Sequence, residues 1–331
     1  MLKSSYMFMS TIILVVGLLI SISSSSWFGV WLGLELNMLA FVSMVSLSEK
    51  SLSEAAMKYF LVQSSSSFVL LLSGMSLHMF GDSVSVILTC SILFKLGGAP
   101  FHFWLPMVAE GMSWINNMVM ATLQKLVPFS LMAYMYNSSI DSIYVISILW
   151  GSWAGAMGGI NEMFLRKLLS FSAINHSSWV ILGTMSGDWI WLEYFVMYSV
   201  VVIVCMSLMS YWNLFHLNHI TNKLPKDMFP HVNISFLSLG GLPPLLGFLP
   251  KWLIIDWSVS TGKIYVVSFL VYMSVVTLYF YSRAGLVLFS LGSSEVLSAE
   301  KGSSTKMSIA SCVNLFGMIV SVSFFSASLL H

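Results

Sequence analysis

Charged side chains are scarce in this sequence. Of its 331 residues, 14 are Lys or Arg and 13 are Asp or Glu, which makes 8% of the chain charged, whereas an ordinary soluble domain has about 25%. Hydrophobic residues make up 57% of the chain, and the mean hydropathy is +0.88. Because so few polar side chains cannot cover a water-soluble fold of this length, a soluble globular protein is excluded.

Two further absences restrict the functions that this chain can have. The net charge of +1 offers no electrostatic basis for binding nucleic acid. The three cysteines, Cys90, Cys205 and Cys312, lie far apart in apolar runs, and none belongs to a Cys-x-x-Cys or Cys/His cluster. We therefore expect buried, unreactive thiols and no metal or cofactor site in this chain.

Apolar runs separated by short polar breaks predict an all-α, polytopic membrane protein with about eleven transmembrane helices. No break is long enough for a soluble domain, so we expect one transmembrane domain over residues 1–331. The predicted helices cover residues 6–23, 27–47, 56–80, 84–107, 112–136, 140–160, 165–186, 188–216, 229–257, 264–290 and 305–330.

The positions of the Lys and Arg residues predict how the chain is oriented in the membrane. If the loops alternate between the two sides, one cation, Lys263, lies on the side opposite the N-terminus. Because positive loops stay on the cytoplasmic or matrix side, this asymmetry places the N-terminus there and the C-terminus opposite. Ten cations fall on the N-terminal side: Lys3, Lys50, Lys58, Arg166, Lys167, Lys223, Lys226, Arg283, Lys301 and Lys306.

A short motif occurs twice. Leu96-Gly-Gly-Ala-Pro100 in helix 4 matches Leu239-Gly-Gly-Leu-Pro243 in helix 9, and a Leu-Pro pair follows each copy. The copies are five helices apart and so cross the membrane in opposite directions, which predicts two inverted five-helix repeats, at about 6–136 and 140–290, with an extra C-terminal helix at about 305–330. Gly and Pro interrupt helices, so helices 4 and 9 are predicted to be broken. A Pro kink that serves only packing is the simpler alternative.

Four ionisable side chains lie inside apolar runs: Glu35, Lys95, Lys125 and Lys251. Each costs about 2.5–3.5 kcal/mol in mid-membrane when unpaired, so pairing, hydration or function has to offset the cost. A desolvated lysine gives up its proton more readily, and acids and bases in series can relay protons. His102 and His176 are further relay candidates because imidazole both accepts and donates near neutral pH. Snorkelling lysines, a structural Glu–Lys pair and merely hydrogen-bonded histidines are the alternatives.

Several stretches make a family resemblance visible. They are Trp31-Leu-Gly-Leu-Glu-Leu-Asn37, Glu54-Ala-Ala-Met-Lys-Tyr-Phe60, Gly98-Ala-Pro-Phe-His-Phe-Trp104, Gln124-Lys-Leu-Val-Pro128, Arg166-Lys-Leu-Leu-Ser-Phe-Ser-Ala-Ile-Asn-His176 and Leu237-Ser-Leu-Gly-Gly-Leu-Pro-Pro-Leu-Leu-Gly-Phe-Leu-Pro-Lys-Trp252. Over nearly its whole length the chain resembles the antiporter-like membrane-arm subunits of mitochondrial NADH–ubiquinone oxidoreductase, respiratory complex I, in their animal, eleven-helix form.

The resemblance implies proton translocation across the mitochondrial inner membrane, driven by quinone reduction elsewhere in the complex. It implies that Glu35 and Lys95 form an ion pair on the input side, that Lys125 is the central relay, and that Lys251 is the output residue. It places His102 and His176 along a hydrated central axis.

The same resemblance implies cofactors and partners. FMN, iron–sulfur clusters and ubiquinone would be bound by other subunits and none by this chain. Chains 4L and 4, a transverse helix of chain 5 and membrane lipids such as cardiolipin would be its neighbours. The N-terminus would face the matrix and the C-terminus the intermembrane space.

Two other functions compete with this interpretation. A standalone cation/proton antiporter shares inverted repeats and buried lysines, but it needs carboxylates at the membrane midplane, where this sequence offers Glu35 alone. A purely structural membrane subunit would tolerate the loss of every buried charge.

Overall fold

A computed structural model of the chain describes residues 2–48, 53–80, 82–187, 189–219 and 228–291. Over these ranges the chain is helical and has no β-strand, although an isolated antiparallel bridge joins Phe164 and His216. The predicted all-α class is therefore confirmed. Two compact units, Met1–Gly151 and Ser152–His331, divide the chain, and each is described by itself below.

The first unit begins with two long helices that touch closely. A Cβ atom added to Gly17 would lie 2.9 Å from both the Asn37 nitrogen and the Gly33 carbonyl oxygen, so only glycine permits this approach. The close contact holds Asn37 in the interior of the unit. The helices are α1 (Leu2–Ser23), α2 (Trp27–Ser48), α3 (Ser53–Phe80), α4 (Asp82–Leu96), α5 (Trp104–Gly111), α6 (Trp114–Ala121) and α7 (Leu123–Met135), followed by a 3₁₀ turn (Ser138–Ile140) and α8 (Asp141–Gly159), which continues into the second unit.

The helices of the second unit are α9 (Leu165–Thr184), α10 (Ile190–Tyr211), α11 (Phe229–Gly240), α12 (Phe248–Ser260) and α13 (Ile264–Leu291). Helix α10 contacts α9, α11 and α12, and α13 packs against α11. At the end where α9 begins, the bridge between Phe164 and His216 is reinforced by a hydrogen bond from the Leu165 nitrogen to the Phe215 carbonyl, 2.9 Å long.

Seven helical segments in the described part of the chain are long and apolar enough to cross a membrane. Three further predicted helices fall outside this set for physical reasons: two are interrupted, and the third, α9, carries Arg166, Lys167, Asn175 and His176. The predicted helix at 305–330 lies outside the described residues, as do Cys312 and five of the ten cations of the N-terminal side. The eleven-helix count, the inverted repeats and the orientation stay predictions.

The interruptions predicted in helices 4 and 9 are present. Helix α4 ends at Leu96 and α5 begins at Trp104, while α11 ends at Gly240 and α12 begins at Phe248. Helix 5, predicted as continuous, is also interrupted, at Thr122, whose φ and ψ of −114° and −83° are not helical. The Thr122 hydroxyl and its backbone nitrogen both donate to the Met118 carbonyl of α6, and α7 begins at the next residue, Leu123.

Candidate functional site

The break after α4 is stabilised by side chains from elsewhere in the first unit. Gly97 adopts a positive φ of 67°, which turns the chain out of the helix and leaves the last carbonyl groups of α4 without helical partners. The Trp104 indole donates to the Phe94 carbonyl at 3.2 Å, and the Gln63 amide donates to the Lys95 carbonyl at 3.1 Å. The main chain around Lys95 is thereby fixed.

Lys95 and Lys125 line the same cavity, which has a volume of about 20 Å³. Both lysines are buried, with exposed fractions of 7% and 4%. A space of this size holds about one water molecule when polar groups surround it. The other lining residues are Leu34, Asn37, Met38, Tyr59, Gln63, Leu96, Trp104, Leu105, Met120, Gln124 and Pro128.

A polar network forms one wall of this cavity. The Tyr59 hydroxyl donates to the Gln124 side-chain oxygen at 3.2 Å, and the Gln124 amide nitrogen donates to the Asn37 side-chain oxygen at 3.0 Å. Three helices, α2, α3 and α7, are thus joined by hydrogen bonds beside the two lysines. Such a network can hydrogen-bond to and orient a water molecule that lies between the lysines.

Glu35 lies on α2, two residues before Asn37, and is partly buried. It does not line the cavity, but its carboxylate is close enough to attract the Lys95 ammonium electrostatically. The structure shows no salt bridge within 4.0 Å between Glu35 and Lys95, unlike the exposed pair of Glu54 and Lys58. Glu35 therefore acts on Lys95 through space and not through a direct ion pair.

His102 lies in the segment between α4 and α5. Its ring is buried and stacks on the Phe103 ring, with the centroids 4.2 Å apart. The Nδ1 atom has no hydrogen-bond partner among the described residues, and His102 does not line the lysine cavity. The structure therefore does not bring His102 and the two lysines to one cavity.

Lys251 reaches the break in the second unit. Its ammonium donates to the Gly240 carbonyl, the last of α11, at 2.9 Å, and lies 6.0 Å from the Trp179 ring centroid. The C-terminal end of a helix carries partial negative charge, so it favours a cation at this position. Gly241 ends the helix with a φ of 80°, and a Cβ atom there would come within 2.8 Å of the ammonium.

His176 contacts the carbonyl next to the one bound by Lys251. Its Nε2 atom lies 3.2 Å from the Leu239 carbonyl oxygen, and its Nδ1 atom lies 2.8 Å from the Tyr194 hydroxyl. A carbonyl only accepts, so Nε2 carries the hydrogen, and in the neutral ring Nδ1 accepts from Tyr194. The imidazole is thus held between a donor and an acceptor, an arrangement that suits proton transfer.

Each unit brings together part of the predicted set of residues. The first combines Lys95 and Lys125 in one cavity with Glu35 close by, and the second joins His176 and Lys251 at the end of α11. Sequence reasoning gave no role to the polar side chains that complete both groups, although amides inside apolar helices are a usable signal. These side chains are Asn37, Tyr59, Gln63, Gln124 and Tyr194.

The described ranges place acidic and basic side chains differently. They contain no group of three or more His, Cys, Asp or Glu side chains that could hold a metal ion. The same ranges contain three buried lysines, Lys95, Lys125 and Lys251, and no buried aspartate or glutamate. The ammonium groups of the three buried lysines can hold and release protons.

Comparisons with known proteins identify relatives of this chain. The chain is 38% identical to NADH-ubiquinone oxidoreductase chain 2 of Anopheles gambiae over 294 residues, which cover 85% of each protein. It is 36% identical to the protein of the same name from Pongo pygmaeus over 285 residues, 81% of each.

A solved structure shares the fold. A chain of respiratory complex I from Thermus thermophilus superimposes with a TM-score of 0.81 at 20% identity, covering 96% of this chain and 78% of that one. Residues 24–277 match the family described as NADH:quinone oxidoreductase/Mrp antiporter, transmembrane. The chain therefore belongs to this antiporter-like membrane family, and within it to the NADH-ubiquinone oxidoreductase chain 2 proteins.

Proposed function

We propose that this chain translocates protons through a buried Glu/Lys/His relay as a membrane-arm subunit of respiratory complex I, the H⁺-translocating NADH:ubiquinone reductase. One observation supports the proposed relay most strongly. The charged side chains that the structure buries are three lysines, and each lies beside a helix interruption. Burying three cations in a membrane protein is expensive, and proton carriage is the function that such a cost commonly accompanies.

In the first unit, Glu35, Lys95 and Lys125 hold and exchange the proton. The field of Glu35 favours a proton on Lys95, and a water molecule in the cavity, oriented by the amide and hydroxyl wall, would carry the proton between Lys95 and Lys125. His102, with an unpartnered buried nitrogen, is a further exchange group. A lysine that alternates between charged and neutral forms moves one proton in each cycle.

In the second unit, His176 and Lys251 act as a pair. A charged Lys251 is stabilised by the Gly240 carbonyl, and the adjacent Leu239 carbonyl orients the His176 ring. When Lys251 loses its proton, the C-terminal end of α11 no longer has a cation beside it. The stability of this helix end therefore depends on the charge of Lys251. A proton pump requires such coupling between the protonation of a side chain and the conformation of the main chain.

The family membership supports the finer architecture that we propose. The chain would form a single domain with two inverted five-helix repeats, at about 6–136 and 140–290, and an eleventh helix at about 305–330. Its place would be the mitochondrial inner membrane, with the N-terminus in the matrix. Chains 4L and 4, the transverse helix of chain 5 and lipids such as cardiolipin would surround it. FMN, iron–sulfur clusters and ubiquinone would stay in other subunits, and this chain would carry out no redox chemistry itself.

A standalone cation/proton antiporter is the second candidate. A cation site in a membrane needs desolvated carboxylates, yet no Asp or Glu that the structure describes is buried. Reconstituted alone in vesicles, the chain should not exchange a metal cation for protons. Exchange of that kind would favour the antiporter function.

The central experiment substitutes Lys125→Met in the assembled complex. Methionine keeps the length of the side chain and removes the proton-carrying amine, so we expect assembly to survive while coupled quinone reduction and proton pumping fall by on the order of 10²-fold. Lys58→Met is the matched control because Lys58 is exposed and pairs with Glu54 at the surface. Unchanged turnover and pumping in assembled Lys125→Met would refute the relay.

A further inference from the structure

A cavity of about 350 Å³ lies at one end of the first unit, where α1 ends, α2 begins and α7 ends. Pockets that hold small ligands in proteins have volumes of about 300–1,000 Å³, whereas the cavity shared by the two lysines holds about one water molecule. Serine and aromatic side chains form much of the lining. The larger cavity is therefore the candidate binding site for a molecule other than water.

This cavity lies at the ends of three segments that can span a membrane. Residues 5–23, 27–46 and 114–135 are each long and apolar enough to cross a bilayer, and lining residues come from one end of each segment. Trp and Tyr are enriched at the depth of the lipid headgroups, and both types line the cavity, as Trp27 and Tyr134. Phospholipids present their headgroups at this depth, so they are the class of molecule that reaches the cavity directly from the membrane.

The described residues that line the cavity carry no charge. In the sequence, no Lys, Arg, His, Asp or Glu occurs between Lys3 and Glu35 or between Lys125 and Asp141. An anionic headgroup such as that of cardiolipin would find no cation in the lining to pair with its phosphates, and a primary ammonium would find no carboxylate. The neutral lining therefore favours a headgroup whose own charges sum to zero.

Two aromatic rings meet at the cavity. The Trp27 and Tyr134 ring centroids are 6.3 Å apart, and the ring planes cross at 61°. A Cβ atom added to Gly74 of α3 would lie 3.1 Å from the Trp27 Cβ atom, so glycine lets this tryptophan pack closely against α3. Tyr134 is 78% exposed, so burial does not account for its position. Rings at a steep angle form the corner of an aromatic cage, which holds a quaternary ammonium by cation–π contacts and without hydrogen bonds.

Hydroxyl groups on the same cavity can bind a phosphate. The Ser25 hydroxyl has no hydrogen-bond partner among the described residues, and the Ser26 hydroxyl accepts a hydrogen bond from the Gly29 nitrogen at 3.3 Å, which leaves its own hydrogen able to donate. Helix α2 begins at Trp27, so the N–H groups of its first turn lie at the same end. These donors suit the oxygens of a phosphodiester, while the aromatic corner suits a quaternary ammonium.

We propose that this cavity binds the headgroup of a phosphatidylcholine molecule. The quaternary ammonium lies against Trp27 and Tyr134, and the phosphate accepts hydrogen bonds from the hydroxyls of Ser25 and Ser26. The acyl chains lie along the apolar surface of α1, on which Leu19 is exposed. Binding at this site does not depend on the proton relay, because none of these residues belongs to it.

The test uses a phosphatidylcholine with a photoactivatable diazirine near the top of one acyl chain and an unmodified headgroup. A trace of this lipid is added to the assembled complex in nanodiscs formed mainly of phosphatidylglycerol, and mass spectrometry locates the lipid adducts after illumination. We expect adducts on residues 19–30 and 130–134. Added phosphatidylcholine should reduce them severalfold more than equal amounts of phosphatidylethanolamine or cardiolipin. Equal competition by all three lipids would overturn the proposal, because it would show contact without recognition of the headgroup.

Variants at Tyr134 separate recognition of the headgroup from accidental contact. Tyr134→Ala removes one wall of the aromatic corner and should reduce the adducts roughly fivefold, whereas Tyr134→Phe keeps the ring and should retain them. Both variants should assemble, because Tyr134 is exposed. Tyr265→Ala, at an exposed tyrosine near the start of α13, is the matched control and should leave the adducts at the wild-type level.

Two results would refute the site without affecting the relay. Wild-type labelling in Tyr134→Ala would show that the aromatic corner does not bind the headgroup. A lack of adducts at the cavity in the wild-type complex would show that a neighbouring subunit covers it. Coupled quinone reduction, measured in parallel on the same samples, tests the relay separately.

Discussion

His176 and Lys251 bind two consecutive carbonyl groups at the end of the same broken helix. The His176 Nε2 atom lies 3.2 Å from the Leu239 oxygen, and the Lys251 ammonium donates to the Gly240 oxygen at 2.9 Å. The helix end would otherwise expose unsatisfied carbonyls in a buried region, which costs free energy for each group. Two residues far apart in the sequence are thus coupled through one backbone feature.

Lys251→Met tests the role of the ammonium that binds the Gly240 carbonyl. Methionine cannot donate to the Gly240 carbonyl and carries no proton, so we expect coupled quinone reduction in the assembled complex to fall by on the order of 10²-fold. Lys263→Met, just before α13, is the control and should retain activity. Equal activities of the two variants would argue against a role for Lys251 in proton transfer.

His176→Gln tests the role of the imidazole at the end of α11. The glutamine amide can replace the hydrogen bond to Leu239, but an amide does not exchange protons near neutral pH, so assembly should persist while coupled turnover drops at least about tenfold. His216→Gln in the loop after α10 serves as the comparison, because His216 packs against Phe164 at the surface end of the unit. If His176→Gln turns over at the wild-type rate, the ring has only a structural role.

Gly241→Ala tests the position of the Lys251 ammonium. Gly241 has a φ of 80°, and a Cβ atom would lie 2.8 Å from the ammonium, so alanine must displace the lysine. Gly262→Ala imposes similar backbone strain, about 1–2 kcal/mol, at a φ of 78° with nothing within 4 Å of the new Cβ atom. Gly241→Ala should therefore lose more thermal stability than Gly262→Ala, and only Gly241→Ala should lose proton pumping.

Glu35→Gln tests the electrostatic action of Glu35 on Lys95. The substitution removes the negative charge and keeps the shape, so Lys95 should hold its proton less firmly and coupled turnover should fall severalfold. Glu54→Gln disrupts an exposed salt bridge with Lys58 and should leave turnover near wild type. Similar losses in both variants would count against a special role for Glu35.

Gln124→Leu tests the wall of the lysine cavity. It leaves the Asn37 oxygen and the Tyr59 hydroxyl without their shared partner, which should reduce the free energy of unfolding by about 1–3 kcal/mol and slow proton exchange between Lys95 and Lys125. Ser130→Ala on the same helix removes a hydroxyl that bonds only within α7 and provides the control. Thermal unfolding and proton pumping, measured on both variants, distinguish a loss of stability from slower proton exchange between the two lysines.

Much of the architecture was predictable because its causes are local. Scarce charge and long apolar runs indicated a helical membrane protein, and the two Leu-Gly-Gly motifs located the breaks after α4 and α11. The break at Thr122 was not predicted, since Thr and Leu are ordinary residues of membrane helices and no Gly or Pro stands at the break itself.

The sequence by itself also determined which side chains are chemically unusual, because a lysine in an apolar run is expensive whatever surrounds it. Only the tertiary structure decided what those side chains contact. It placed Lys95 and Lys125 in one cavity, left His102 outside it, and brought His176 and Lys251 to adjacent carbonyls. The reason is that a glycine or proline frees backbone groups within its own segment, whereas the groups that satisfy them come from helices distant in the sequence, and only packing brings these together.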